Sequence, residues 1–222
     1  MTIKQPAGIG FDELTGRLYS AVLADVLDDL GYRKQTFGPG MKLVDPSARL
    51  CGRAFTAQAM PVFDTPKEPY KLQMEAIDAV REGEVFVVSA GSLGVAAFWG
   101  ELLSTACRAR GGRGAIVDGL GRDTSRIVSM GFPLVSRGQV PTDSKGRLDL
   151  KAYRQPIEID GVRIEPGDIV FADVDGVVVV PQAVEEEAIA KSLEKAEGEN
   201  VVRKALQEGM LCTEAFRTFG IL

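Results

Sequence analysis

Histidine is absent from the 222 residues, and no other feature removes so much chemistry. It is the usual general base, the triad partner and the commonest transition-metal ligand. A Ser-His-Asp hydrolase, a Cys-His protease and a His-ligated zinc enzyme are therefore excluded. Cysteine is scarce as well: Cys51, Cys107 and Cys212 lie far apart and form no CxxC pair. That excludes a cysteine zinc cage or a thioredoxin-like motif, and all three read as buried small residues in a reducing cytosol. Basic residues are not in excess, since 26 Lys and Arg face 31 Asp and Glu for a formal charge of −5. Without a basic stripe to displace counterions, nucleic acid is not an expected partner. Long apolar runs are missing too. The weakly polar stretch 85–100 is interrupted by Ser and Gly, and the first ten residues lack a basic region with an apolar run behind it. The expectation is a cytoplasmic protein with no membrane segment.

What is present is ordinary globular material, 45% apolar and 26% charged, and not the low-hydrophobicity, high-charge pattern of disorder. The length suits one domain over 1–222 with a C-terminal helical arm from about residue 183. The chemistry left is that of carboxylates, Arg, Lys, hydroxyls and backbone N–H groups. That palette suits a hard, oxygen-ligated cation such as Mg²⁺ or Mn²⁺.

Phe11, Leu14, Leu18, Val22, Val26 and Leu30 recur every three or four residues before Gly31, which predicts one amphipathic helix with a glycine cap. A Gly/Pro loop at 38–40, a strand near 48–60, a Pro-containing loop at 61–69 and a helix ending at Gly83 follow. The middle of the chain alternates strand (84–89), Gly-rich turn (90–94), helix (99–110), strand (114–118), turn (119–121) and helix (123–131). A β-α-β-α run implies parallel strands with both turns at one sheet edge, where ligands of open α/β sheets bind. After a strand at 133–136 the chemistry becomes antiparallel, with Asp160-Gly161 and Asp175-Gly176 each separating two short alternating segments. The stretch 183–207 reads as a charge-rich helix interrupted by Gly198, either solvated or a subunit contact.

Two loop-to-helix junctions at that edge carry candidate chemistry. At 91–94 and 100–103, small residues let a ligand approach the backbone, and the first N–H groups of the helix are free to bind an anion. At 118–123 a tight turn sets Arg122 beside Asp123. Arg122 can clamp a carboxylate through its two-pronged donors, and Asp123 can hold a divalent cation together with several waters. Such a cation on a 2-oxo acid stabilises the enolate left when the neighbouring C–C bond breaks. As residues alone, Arg122 and Asp123 also read as a surface ion pair, and Glu101 as a favourable acid in a first helical turn.

Glu101 followed by 20 residues and then Arg122-Asp123 resembles the D/E-x20-R-D signature of the class II 4-hydroxy-4-methyl-2-oxoglutarate / 4-carboxy-4-hydroxy-2-oxoadipate aldolases, which share a fold with the RraA regulator of ribonuclease activity. The flanking text agrees: GSLG at 91–94, GELLSTACRARGGRGAIVDG at 100–119, GFP at 131–133 and DVDGVVVVP at 173–181. The resemblance covers about residues 15–190. It implies an α/β fold of the RraA-like swivelling β/β/α type, with mixed sheets and a C-terminal helical arm. It further implies that Arg122 binds the pyruvyl carboxylate, Asp123 coordinates Mg²⁺ or Mn²⁺, and Glu101 supports water on the metal. Gly100 and the amides of Leu102 and Leu103 would receive the pyruvyl oxygens. Family members are trimers or hexamers with sites between subunits, and Glu194, Glu197 and Glu199 are candidates for an acid supplied by a neighbour. The motif's next acidic position is Arg126 here, a charge reversal, and RGQVPTDSKGR at 137–147 looks like a different branch from the characterised aldolases. The expected function is a metal-dependent lyase that releases pyruvate from a 4-hydroxy-2-oxo acid or decarboxylates oxaloacetate. The alternative is a protein-binding regulator of ribonuclease activity.

Overall fold

A strand that is apolar on both faces belongs in the middle of a parallel sheet covered on both sides, and EVFVVS and GAIVDG are such runs. The computed structural model, which describes residues 8–91 and 96–221, places them there. β1 (Lys42–Leu43), β2 (Leu50–Pro61), β3 (Glu84–Ser89), β4 (Ala97–Trp99), β5 (Gly114–Gly121), β6 (Leu134–Gln139), β7 (Leu148–Tyr153), β10 (Ile169–Ala172) and β11 (Val177–Val180) form one mixed sheet. Its order is β1-β6-β5-β3-β2-β10-β11, with β4 paired to β5 and β7 to β2. The pairs β2/β3, β3/β5 and β5/β6 are parallel, while β2/β10, β10/β11 and β2/β7 are antiparallel. A separate hairpin, β8 (Ile157–Ile159) with β9 (Val162–Ile164), turns at Asp160-Gly161 as expected.

Strand alternation sorts the core into layers. Phe55, Phe86, Val88 and Val117 face α3 (Lys71–Asp78), α4 (Glu101–Ala109) and α5 (Thr124–Ser129). Val85, Val87, Ile116 and Val135 face the β8/β9 hairpin. Phe171, Val178 and Val180 pack with α1 (Phe11–Arg17), α2 (Ser20–Asp29) and α6 (Glu185–Gln207). This is the α/β swivelling arrangement with mixed sheet. Its C-terminal helical arm is α6 followed by α7 (Cys212–Phe219).

Four local expectations are corrected. The single helix over 11–30 is two, because Leu18 and Tyr19 are extended. The buried Asp173 carboxylate accepts the Ser20 N–H (2.8 Å) and hydroxyl (2.6 Å), giving α2 its own start, and Arg49 donates to the Thr15 and Leu18 carbonyls at the end of α1. Residues 119–121 are strand and not turn: Leu120 and Gly121 pair with β4 on one side and β6 on the other, so the chain turns only at Arg122 and Asp123. Trp99 ends β4 and does not open a helix, its indole N–H donating to Ser104 Oγ at 2.8 Å. Gly198 does not interrupt α6; it makes room for Ile221, whose Cδ1 would lie 2.7 Å from an added Cβ.

α6 is solvated on one face, with an exposed Lys191–Glu187 pair, and buried on the other through Ala188, Ile189 and Leu193. Cys51 and Cys107 are buried, which pushes both thiols up to about 12, whereas Cys212 is exposed, contrary to expectation. Among the described residues no helix is long and apolar enough to cross a membrane.

Candidate active site

The C-terminal ends of β3, β5 and β6 share one edge of the sheet, and a cavity of about 300 Å³ opens there. That is the small end of the roughly 300–1,000 Å³ typical of ligand pockets, a volume for a small acid and not a dinucleotide. Arg122 and Asp123 reach it from the end of β5, and Gly100, Leu102 and Leu103 from the start of α4.

The two junctions are stitched together. The Arg122 N–H donates to the Trp99 carbonyl at 2.9 Å. Asp123 has left-handed backbone angles (φ 57°, ψ 27°), which Asp tolerates better than most residues. This turn swings its carboxylate back to accept the Glu101 N–H at 3.3 Å. Gly100 is needed by the close approach, since a Cβ there would lie 2.8 Å from Asp123 Oδ2. The Leu102 and Leu103 amides belong to the first turn of α4 and have no intrahelical acceptor. Arg122 is flanked by two acids, Nε lying 3.7 Å from Asp123 Oδ2 and Nη2 3.3 Å from Asp143 Oδ1.

Glu101 is not brought in with the others. Its carboxylate accepts from Thr105 Oγ1 at 2.8 Å on its own helix, and it lines a separate hollow with Arg126, Ser125 and Ser129. Arg126 therefore faces Glu101's side of α4 and α5, outside the pocket that Asp123 lines. Of the expected Gly91-Ser92-Leu93-Gly94 junction, Ser92, Leu93 and Gly94 lie outside the described residues. Of the three candidate acids on α6, Glu197 pairs with Arg17 at 2.7 Å and Glu199 accepts from the Tyr19 hydroxyl. Glu194 is exposed and has no ion-pair partner among the described residues.

Sequence reasoning missed Tyr70, Gln73, Asp143 and Ser144, all of which line the pocket. Asp143 lies in the divergent 137–147 segment; Tyr70 and Gln73 come from the α3 region and carried no signal. The Tyr70 hydroxyl donates to Asp143. Burial opposes the charge on Asp143, but the Tyr70 hydrogen bond, the Arg122 guanidinium and the Ser144 and Lys145 amides outweigh it and hold its carboxyl below the usual range. Burial first, then the bond to Asp143 and its charge, push the Tyr70 phenol up to about 12. Because that value lies above the unfolded one, the contribution to stability is complete below pH 10 and is lost as pH rises through about 12. In a spectrophotometric titration of the four tyrosines, Tyr70 and Tyr19 are expected to ionise last. Asp143→Asn should bring one of the two late transitions down; an unchanged titration would refute the Tyr70–Asp143 bond.

Among the described residues no group of three or more Asp, Glu, Cys or His side chains could hold a metal ion. The local donors are oxygens, and Asp123 keeps a part-exposed carboxylate whose contacts to Glu101 and Arg122 are long. That fits Mg²⁺ or Mn²⁺, which bind through one or two carboxylates and retain several waters.

The sequence and the fold both have relatives. A curated putative 4-hydroxy-4-methyl-2-oxoglutarate aldolase of Halalkalibacterium halodurans is 28% identical over 64% of this chain and 68% of its own length. Protein DlpA of Legionella pneumophila is 28% identical over 88% of this chain, which spans about a third (31%) of that protein's length. The crystal structure of Streptomyces coelicolor RraAS2, described as an unusual member of the RNase ES inhibitor RraA protein family, superposes with a TM-score of 0.75. It is 31% identical, over 86% of this chain and 96% of that one. The family model described as RraA-like, Aldolase/RraA, matches residues 20–179, well over half the sequence and all of the pocket's β3-to-β7 framework. The chain belongs to the RraA-like family, which holds both aldolase-type and RraA-type relatives.

Proposed function

We propose that the protein is a divalent-metal-dependent lyase that breaks a C–C bond of a 2-oxo acid, releasing pyruvate from a 4-hydroxy-2-oxo acid or from oxaloacetate. The observation that carries this reading is the convergence of one guanidinium, one available carboxylate and the free first turn of α4 on a cavity of substrate size. Arg122 binds and orients the carboxylate, and the Leu102 and Leu103 amides fix the pyruvyl oxygens. Asp123 would hold Mg²⁺ or Mn²⁺, which when bound supplies Lewis-acid stabilisation of developing enolate charge. Glu101 is the proton carrier in this scheme; its carboxylate must turn from Thr105 to serve, a rotation about its own side-chain bonds. The assembly in this reading is a trimer or hexamer with sites at subunit boundaries, and Glu194 is the acid on α6 still available to a neighbour.

A second reading, a protein-binding regulator of ribonuclease activity, has the better support from likeness alone. RraAS2 matches over a larger share of the chain than the aldolase relative does. The two readings separate in a single assay. Pyruvate release from oxaloacetate and a panel of 4-hydroxy-2-oxo acids is expected with Mg²⁺, abolished by EDTA, and lowered about a hundredfold or more in Asp123→Ala. No turnover from folded, metal-saturated protein would remove the lyase and leave the regulator.

A further inference from the structure

The pocket holds too few cations for the substrates its family resemblance suggests. Arg122 is its single Lys or Arg among the described lining residues, against two carboxylates, Asp123 and Asp143. Of the cations that flank the described lining residues in sequence, Lys145 is exposed and does not line the cavity. Arg147 is turned onto the backbone carbonyls of Asp143 and Lys145 at 3.1 and 3.4 Å, and Lys71 is paired with Glu68 at 2.8 Å. Even with Asp123 neutralised by a cation, Arg122 is divided between Asp143 and the first carboxylate of a ligand. A second ligand carboxylate would meet the Asp143 charge with nothing to offset it. Two of the remaining polar side chains are engaged within the protein. The Gln73 amide donates to the Phe98 carbonyl at 3.1 Å and the Tyr70 hydroxyl donates to Asp143. Apart from Ser144, most of the wall is apolar, with Met74, Phe98, Leu102, Leu103 and the ring of Tyr70.

We infer that the pocket takes a 2-oxo acid with one carboxylate and an apolar remainder, and that Asp143 acts as a specificity residue against a second carboxylate. The inference rests on the lyase reading for its chemistry and on charge and lining for its substrate class. For a 4-hydroxy-2-oxo acid with an apolar group on C4, the C3–C4 bond breaks and its electron pair passes to C3 as the pyruvate enolate. The C4 hydroxyl loses its proton, C4 becomes an aldehyde, and C3 takes up a proton. The products are pyruvate and an apolar aldehyde, with no oxidant or reductant consumed.

The test compares two substrates that differ only at C4, one with an ethyl or phenyl group and one with a carboxylate. It measures both kcat/KM and, with the metal present, binding by calorimetry. The apolar substrate is expected to lead by about tenfold or more in both. Met74→Arg, which supplies a cation from an exposed position on α3, should move the ratio toward the dicarboxylate by a similar factor, as should Asp143→Asn. Preferential binding of the apolar acid without turnover would support the substrate class while removing the lyase. Equal or faster turnover of the dicarboxylate would overturn the substrate class and leave the lyase standing. Failure to bind either acid overturns both.

Discussion

Glu185→Ala is expected to lower the free energy of unfolding by about 3–5 kcal/mol, the usual loss when one partner of a buried ion pair is removed. Glu185 is the first residue of α6 and meets Arg53 of β2, with side-chain exposures of only 7% and 8%. Both terminal guanidinium nitrogens meet the carboxylate, and Nη1 also donates to the Gly167 carbonyl at 3.0 Å. Truncation would remove the carboxylate that meets two guanidinium nitrogens in a dry site where the arm joins the sheet. For a domain with the ordinary 5–15 kcal/mol or so of stability, that is a large share. Urea unfolding monitored by circular dichroism would show it as a shifted midpoint with little change of slope. The contrast is Glu68→Ala, which breaks an exposed pair with Lys71 and is expected to cost no more than about 1 kcal/mol. A loss in Glu185→Ala as small as that would mean the buried pair contributes no more than an exposed one.

Arg122→Ala is expected to lower kcat/KM for pyruvate release by about 10²–10³-fold, the range seen when one well-placed donor to a developing negative charge is lost. Arg122 is partly exposed, at 36% of its side chain, so the fold should survive and the loss should be in substrate orientation. Arg122→Lys keeps the charge without the planar fork and is expected to recover little, because a point charge cannot make the two parallel bonds. Full activity in Arg122→Lys would show that charge alone suffices there and would remove the clamp from the scheme.

The sheet was largely legible because its signals are local. Apolar runs such as EVFVVS mark central strands, and Asp-Gly pairs mark both hairpins. The Glu101-to-Arg122 spacing was legible as well, since it measures one helix and one strand between two turns at the same edge. What escaped depends on distant partners. The break at Leu18 and Tyr19 is made by Asp173, 153 residues from the Ser20 it caps. β4, of three residues, is too short to register as a pattern, and β7 alternates too weakly to be read beside its polar flanks. Asp143 and Tyr70 enter the pocket from segments 73 residues apart, and only the folded chain makes them neighbours of Arg122. Glu101 shows the reverse: its place in the first turn of α4 is legible in the sequence, yet its side chain is held by Thr105 outside the cavity.

The lyase scheme turns on Arg122 gripping the carboxylate end of a 2-oxo acid in this pocket. Calorimetric titration with pyruvate, a 2-oxo acid with a single carboxylate, in the presence of Mg²⁺ measures that grip. One pyruvate per chain is expected to bind, with affinity falling about a hundredfold in Arg122→Ala and unchanged in Arg126→Ala, whose side chain lies in the neighbouring hollow. Undiminished binding to Arg122→Ala, or no binding to the unaltered protein, would contradict it.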